Sequence, residues 1–168
     1  MNRTGPVQRV TIWVRDMERS LALYRDLLGL DIVEDKTLSG PAIMGMAGYR
    51  DGQLRMVHLA PAGAEQGWIG LYALQGAQPV PDALPPPRKD RLSLGQAAIV
   101  LATSQSDALA RDLEERGYEF IVRPQAYLKP TDSPRMPAGR YTEMIFLDPD
   151  GIPVSVMGFE PLRPAPAG

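Results

Sequence analysis

Apolar and polar positions along this chain change period in a fixed order, and the order occurs twice. Residues 7–14 (VQRVTIWV) are β-branched and apolar, with polar Arg9 and Thr11 two apart. That pattern predicts a strand with one face toward polar surroundings. Asp16 is placed to cap a helix. Met17, Leu21, Tyr24 and Leu28 follow at helical spacing with charges between them, and Gly29 closes the helix. LDIVE, QLRMVHLA and WIGLYAL read as three further strands, the last two joined by PAGAEQG. LSGPAIMGMAGY, rich in Gly and Met, reads as irregular.

Residues 75–94 are Pro-rich and read as a linker. The order then restarts. QAAIVLA predicts a strand, and Ser104 with Asp107 resembles a capping box. DALARDLEERG predicts a helix closed by Gly117, and YEFIV a strand. RPQAYLKPTDSPRMPAG reads as a second irregular excursion. RYTEMIFL, the turn DPDG and PVSVMGF complete two strands. Asp16 and Thr103, at the strand-to-helix junctions, are 87 residues apart; Gly29 and Gly117, at the helix ends, are 88 apart. Such a match in register points to a duplicated βαβββ module. The expected organisation is a first module at 5–74, the linker at 75–94, a second module at 95–160 and a Pro-rich tail at 161–168.

Composition narrows the function classes. The 168 residues are 44% apolar and 23% charged, with a net charge of −2 and the two signs interspersed. No basic patch suits nucleic acid. No apolar run approaches the ~20 residues of a membrane span, and the first residues lack an apolar secretory core. There is no cysteine, which removes disulfides, thiolate nucleophiles and cysteine-ligated metals. A cytoplasmic protein is expected.

VTIWVRDMERSLALYRDLLGL and FLDPDGIPVSV resemble the vicinal oxygen chelate superfamily, which includes glyoxalase I, extradiol dioxygenases, and fosfomycin and bleomycin resistance proteins. The resemblance covers about Val7 to Phe159. It implies an α+β fold in which two tandem βαβββ modules form a shared barrel-like cleft with helices outside. It also implies four metal-ligand positions on the first and last strands of the modules. Seven residues before the helix-starting Asp16 stands Arg9, and seven before Thr103 stands Gln96. Seven after Asp148 of the DPDG turn stands Ser155, and the matching position in WIGLYAL is Gly70. An arginine cannot ligate, a glycine has no side chain, and Gln and Ser are weak neutral donors. With one histidine in the chain, His58, a two-histidine site is impossible. The expectation is that the metal site is absent and that no cofactor is bound.

Strand parity puts Arg9, Thr11 and Trp13 on the face that the resemblance turns toward the cavity. Trp68, Gly70 and Tyr72 join them, as do Gln96, Ala98, Ser155 and Met157. A guanidinium there would hold a carboxylate, phosphate or enolate oxygen, or be neutralised internally by Glu143 or Asp31. His58 is a candidate general base, although a place on the solvent or helix side of its strand is preferred. Glu143 is a candidate acid. Met44, Met46 and Met136 would form an adaptable rim or simply pack. Tyr49, Tyr127, Lys129 and Tyr141 flank the irregular excursions as further rim residues. DPDG reads as a structural turn.

Three readings follow. The first is a metal-free binding protein for a small, acidic or aromatic ligand. The second is a metal-independent isomerase or lyase using Arg9 with Glu143 or His58. The third is an interaction module with a filled core. A homodimer is expected, with the linker long enough for module exchange.

Overall fold

The computed structural model describes residues 3–76, 89–134 and 136–162. Most of the expected linker and tail lie outside these residues. The chain divides into two compact units, Met1–Pro85 and Pro86–Gly168.

The first unit runs β1 (Arg9–Trp13), α1 (Met17–Tyr24), β2 (Asp31–Ser39), α2 (Pro41–Met46), β3 (Gln53–Ala60) and β4 (Trp68–Gln75). Its sheet order is β1-β4-β3-β2. β1 lies parallel to β4, because a helix intervenes before the chain returns; β2, β3 and β4 are antiparallel neighbours. The second unit runs β5 (Ile99–Thr103), α3 (Ser106–Glu115), β6 (Phe120–Lys129), β7 (Gly139–Leu147) and β8 (Pro153–Pro161). Its order is β5-β8-β7-β6, again with one parallel pair, β5 with β8. Each unit is thus a βαβββ module with an open four-stranded sheet.

The apolar half of the alternation packs under the helices. In the first unit Ile12, Val57, Leu59, Ile69 and Leu71 share one sheet face and are buried with Leu21 and Tyr24 of α1. In the second, Ile99, Met144, Phe146, Val154 and Val156 are buried with Ala110 and Leu113 of α3. Each fully buried large aliphatic side chain contributes about 1.5–3 kcal/mol. Charge reinforces the first helix. Arg55, on the helix side of β3, reaches Glu18 of α1 at 2.6 Å and Asp35 of β2 at 2.8 Å. Its guanidinium hydrogen bonds hold the Asp35 carboxyl below the usual range.

Four local expectations need correction. Residues 41–46 form a short helix, started by Pro41 at a position whose N–H would be unbonded in any case. Strand β6 continues through RPQAYLK to Lys129, with register shifts around Val122 that accommodate the Pro. The Ser104–Asp107 capping box does not form: the N-cap is Gln105, without a side-chain bond, and Thr103 Oγ1 accepts from the Gln105 N–H at 3.0 Å. The first helix stops at Tyr24, and a turn carries the chain to Gly29, which takes φ +73°. No helix of the described residues is long and apolar enough to cross a membrane.

Asp16 accepts hydrogen bonds from the N–H groups of Glu18 (3.0 Å) and Arg19 (3.2 Å). Asp16→Ala is expected to destabilise the protein by about 1 kcal/mol, and Gln105→Ala to cost much less. Urea denaturation of the two variants checks the contrast.

Candidate functional site

The sheet face opposite α1 gathers the polar half of the strand alternation. Register aligns Thr11 with Gly70, Gly70 with His58, and His58 with Glu34, one row across all four strands. Arg9 and Trp13 flank the row on β1, Trp68 and Tyr72 on β4, Met56 on β3 and Lys36 on β2. Strict alternation would set Val33 opposite His58, but the register shifts between Ile32 and Glu34. That bulge turns Glu34 onto this face.

Gly70 lets these side chains converge. A Cβ at this position would lie 3.1 Å from Cε1 of Tyr72 and 3.4 Å from both Cδ of Arg9 and Cδ2 of His58. His58 is 5% exposed, so the preferred solvent- or helix-side placement is corrected. Its Nε2 lies 3.2 Å from the Tyr72 hydroxyl and its Nδ1 lies 3.3 Å from Oε2 of Glu34. Oε1 of Glu34 is 2.5 Å from Nζ of Lys36. A carboxylate beside Nδ1 favours the proton there, which leaves Nε2 to accept from the Tyr72 O–H.

Aromatic rings surround this chain of contacts. The His58 ring is 5.9 Å from those of Trp68 and Tyr72. Trp13 meets Tyr72 edge-on at 5.5 Å and is 47% exposed. The Arg9 guanidinium carbon lies 5.8 Å from the Tyr72 ring centre, and its Nε donates to Thr11 Oγ1 at 3.3 Å. Arg9 is solvent-exposed and pairs with no carboxylate among the described residues of its unit, Asp31 included. Leu54, Met56 and Tyr72 form a buried apolar cluster, extended by Leu38, Ile43 and Leu74.

The electrostatics follow from these neighbours. Burial pushes the His58 imidazole below its usual value, and the charges of Arg9 and Lys36 add to that. Glu34 opposes the shift. The balance favours the neutral imidazole. Hydrogen bonding from Lys36 holds the Glu34 carboxyl below the usual carboxylate range.

In the second unit, Ser155 is buried and its hydroxyl donates to Oε1 of Glu143 at 2.8 Å, while half-buried Met157 stands opposite Glu143. Gln96 is not on a strand. It lies in the loop before β5, and its amide oxygen accepts from the Ser93 N–H at 2.8 Å. Val100 stands opposite Ser155 as Thr11 stands opposite Gly70, so the register counterpart of Arg9 is Ala98. Tyr127, Tyr141 and Phe159 form an aromatic row across three strands, and the Tyr141 hydroxyl donates to the Pro137 carbonyl at 2.8 Å. Lys129 bonds the Thr131 carbonyl. Met44 is buried, Met46 is exposed and Met136 and Tyr49 are half-buried. DPDG is the expected turn: Asp148 Oδ1 accepts from the N–H groups of Asp150 (2.9 Å) and Ile152 (2.8 Å), and Gly151 takes φ +86°. Two surface concavities of about 610 and 340 Å³ also lie in this unit. The larger is lined by the exposed pairs Lys89–Glu119 and Arg123–Glu114. The smaller is lined by the start of α3 with Arg111, Arg140 and Glu160.

The profile of the Glyoxalase/Bleomycin resistance protein/Dioxygenase superfamily matches residues 7–156. The chain belongs to that superfamily. The fold agrees with solved members. A glyoxalase-family protein of Bacillus cereus superposes with a TM-score of 0.69 at 12% identity, covering 94% of this chain and 96% of that one. A superfamily member from Sphaerobacter thermophilus gives 0.53 at 24% identity, covering 92% and 98%. TnmS3, an antibiotic binding protein from Streptomyces sp. CB03234, gives 0.50 at 23% identity, covering 95% and 100%. No curated protein matches the chain.

The metal implied by this glyoxalase-type superfamily does not fit the residues present. Arg9 is a fixed cation. The space a side chain at Gly70 would enter is bordered by Tyr72, Arg9 and His58. Ser155 is committed to Glu143, and Gln96 to its own loop. Among the described residues no three His, Cys, Asp or Glu side chains group as metal ligands. The first-unit face instead combines the cations Arg9 and Lys36, the Glu34 carboxylate, three aromatic side chains and an imidazole.

His58 is the one histidine of the chain, so its NMR titration is free of overlap. Its midpoint is expected below 6.5. Removing the opposing charge in Glu34→Gln should lower it further, and removing the Arg9 charge in Arg9→Gln should raise it. Because the folded value is depressed, the unfolded chain binds more protons in that window. Stability should fall as pH drops from the unfolded value through the folded one. A midpoint at or above 6.5 contradicts the burial and charge assignment.

Proposed function

We propose that this superfamily member is a small-molecule binding protein that holds a planar organic anion without a metal ion. The observation that carries the reading is the convergence of Arg9, His58 and Tyr72 around Gly70, with Trp13 and Trp68 beside them. A guanidinium without an internal carboxylate partner in its unit offers two parallel N–H donors to a carboxylate or enolate. Indole and phenol rings offer area for a flat, partly apolar body. Thr11 orients Arg9, and Met56 lies on the same face. Structural similarity to a protein described as antibiotic-binding supports a small-molecule ligand as the class.

A metal-independent isomerase or lyase is the second reading. It is favoured by the neutral His58 imidazole held between Glu34 and the Tyr72 hydroxyl. Expected homodimerisation belongs to the same proposal; a light-scattering mass near 18.4 kDa at micromolar concentration would contradict it.

Both tryptophans of the chain are on the proposed face, so ligand binding should quench intrinsic fluorescence. A panel of planar aromatic carboxylates supplies the probes. A charge-assisted hydrogen bond contributes ~1.5–3 kcal/mol, so Arg9→Gln should weaken binding roughly ten- to hundredfold without loss of fold. Unchanged affinity in this variant removes Arg9 from the site. Elemental analysis of protein purified without chelator should find no stoichiometric divalent metal, and a bound equivalent at Arg9 and Gly70 would overturn the metal-free assignment.

A further inference from the structure

Glu34, His58 and Tyr72 stand on three adjacent strands, β2, β3 and β4, and meet in sequence at 3.3 and 3.2 Å. Simple packing does not call for this order. A buried imidazole with a carboxylate at one nitrogen and a hydroxyl at the other has a lone pair aimed at the hydroxyl proton and a ready counterion. The strand bulge that turns Glu34 inward completes the chain. Beside the Tyr72 ring lies the Arg9 guanidinium, a permanent cation within its unit without an internal carboxylate.

We infer that the site takes a weakly acidic hydroxyl, a phenol or an enol on a planar ring, and binds it as the oxyanion while His58 receives its proton. This rests on the small-molecule binding reading and names its ligand class. The transfer balances without any further reactant. The ligand O–H bond breaks as its proton passes to the Tyr72 oxygen. The Tyr72 O–H bond breaks as that proton forms an N–H bond at His58 Nε2. Tyr72 ends as a neutral phenol, His58 as an imidazolium beside the Glu34 carboxylate, and the ligand as an oxyanion beside Arg9. Among the described residues, the charged and titratable groups that face His58 are Arg9 from β1, Glu34 and Lys36 from β2, and Tyr72 from β4; its neighbour on its own strand on this face is the apolar Met56. Arg9 resists protonation of His58. An oxyanion on Arg9 cancels that resistance, so proton uptake and anion binding favour each other.

4-Nitrophenol tests this directly, because its phenolate absorbs in visible light and its neutral form in the near ultraviolet. Bound to the wild-type protein, it should ionise with a midpoint at least one pH unit below that of the free probe. Tyr72→Phe keeps the ring and removes only the relaying hydroxyl; His58→Gln removes the acceptor. Each should return the bound midpoint toward the free value by about tenfold in proton affinity. The inference is overturned if the probe binds as the neutral phenol, or if either variant leaves the bound midpoint where it was. 4-Nitrobenzoate, ionised throughout the same pH range, is the control. Binding of the benzoate without the phenol overturns this inference and leaves the anion-binding reading standing. Binding of neither, with unchanged tryptophan fluorescence, overturns both.

Discussion

The missing side chain at Gly70 is the constraint on which the first unit's polar face depends. β4 is an inner strand, flanked by β1 and β3, so any side chain at its centre would stand between theirs. A single methyl there would already press on the Tyr72 ring at 3.1 Å. With hydrogen in its place, Arg9 comes in from one neighbouring strand and His58 from the other. The ligand set that the sequence resemblance implies includes this point. Glycine supplies no donor atom there, and a Cβ would require the Tyr72 ring to give way by a few tenths of an ångström.

Electrostatics then sort the charges on that face. Lys36 occupies one oxygen of Glu34, and the other oxygen faces His58. Burial and the cations favour the neutral form of His58. Arg9 is left without an ion-paired carboxylate among the described residues of its unit, solvent-exposed beside a half-exposed Trp13. A surface cation ordinarily contributes little. Next to the buried Tyr72 ring, a hydrogen bond from it to an anion is worth more than in open water.

Much of this architecture was legible in the amino-acid pattern. The period-2 runs of QLRMVHLA and WIGLYAL, the Asp16 cap and the positive-φ glycines at 29 and 117 carry two βαβββ modules. The parity of Arg9, Thr11 and Trp13 was equally readable. What escaped was set by register. A single-residue bulge after Ile32 turns Glu34 to face His58, and no composition signal marks it. His58 itself was misplaced because a lone histidine in an apolar strand carries no sign of which face is polar; aligning it with Gly70 through the hairpin would have shown it. Counting from Thr103 put Gln96 on a strand, whereas helix α3 starts two residues farther along, from an N-cap at Gln105. That shift moves the counterpart of Arg9 to Ala98 and leaves Gln96 in a loop.

The central claim is that the cluster around Gly70 is where an organic anion binds. The two indole N–H groups and the one imidazole give resolved NMR reporters on that face. Titration with 4-nitrobenzoate in the presence of a chelator tests it most directly. The account predicts that the signals of Trp13, Trp68 and His58 shift together along one saturable curve, and that Arg9→Gln abolishes the shifts. Shifts confined to the second unit, or saturable binding that leaves all three reporters in place, would contradict it.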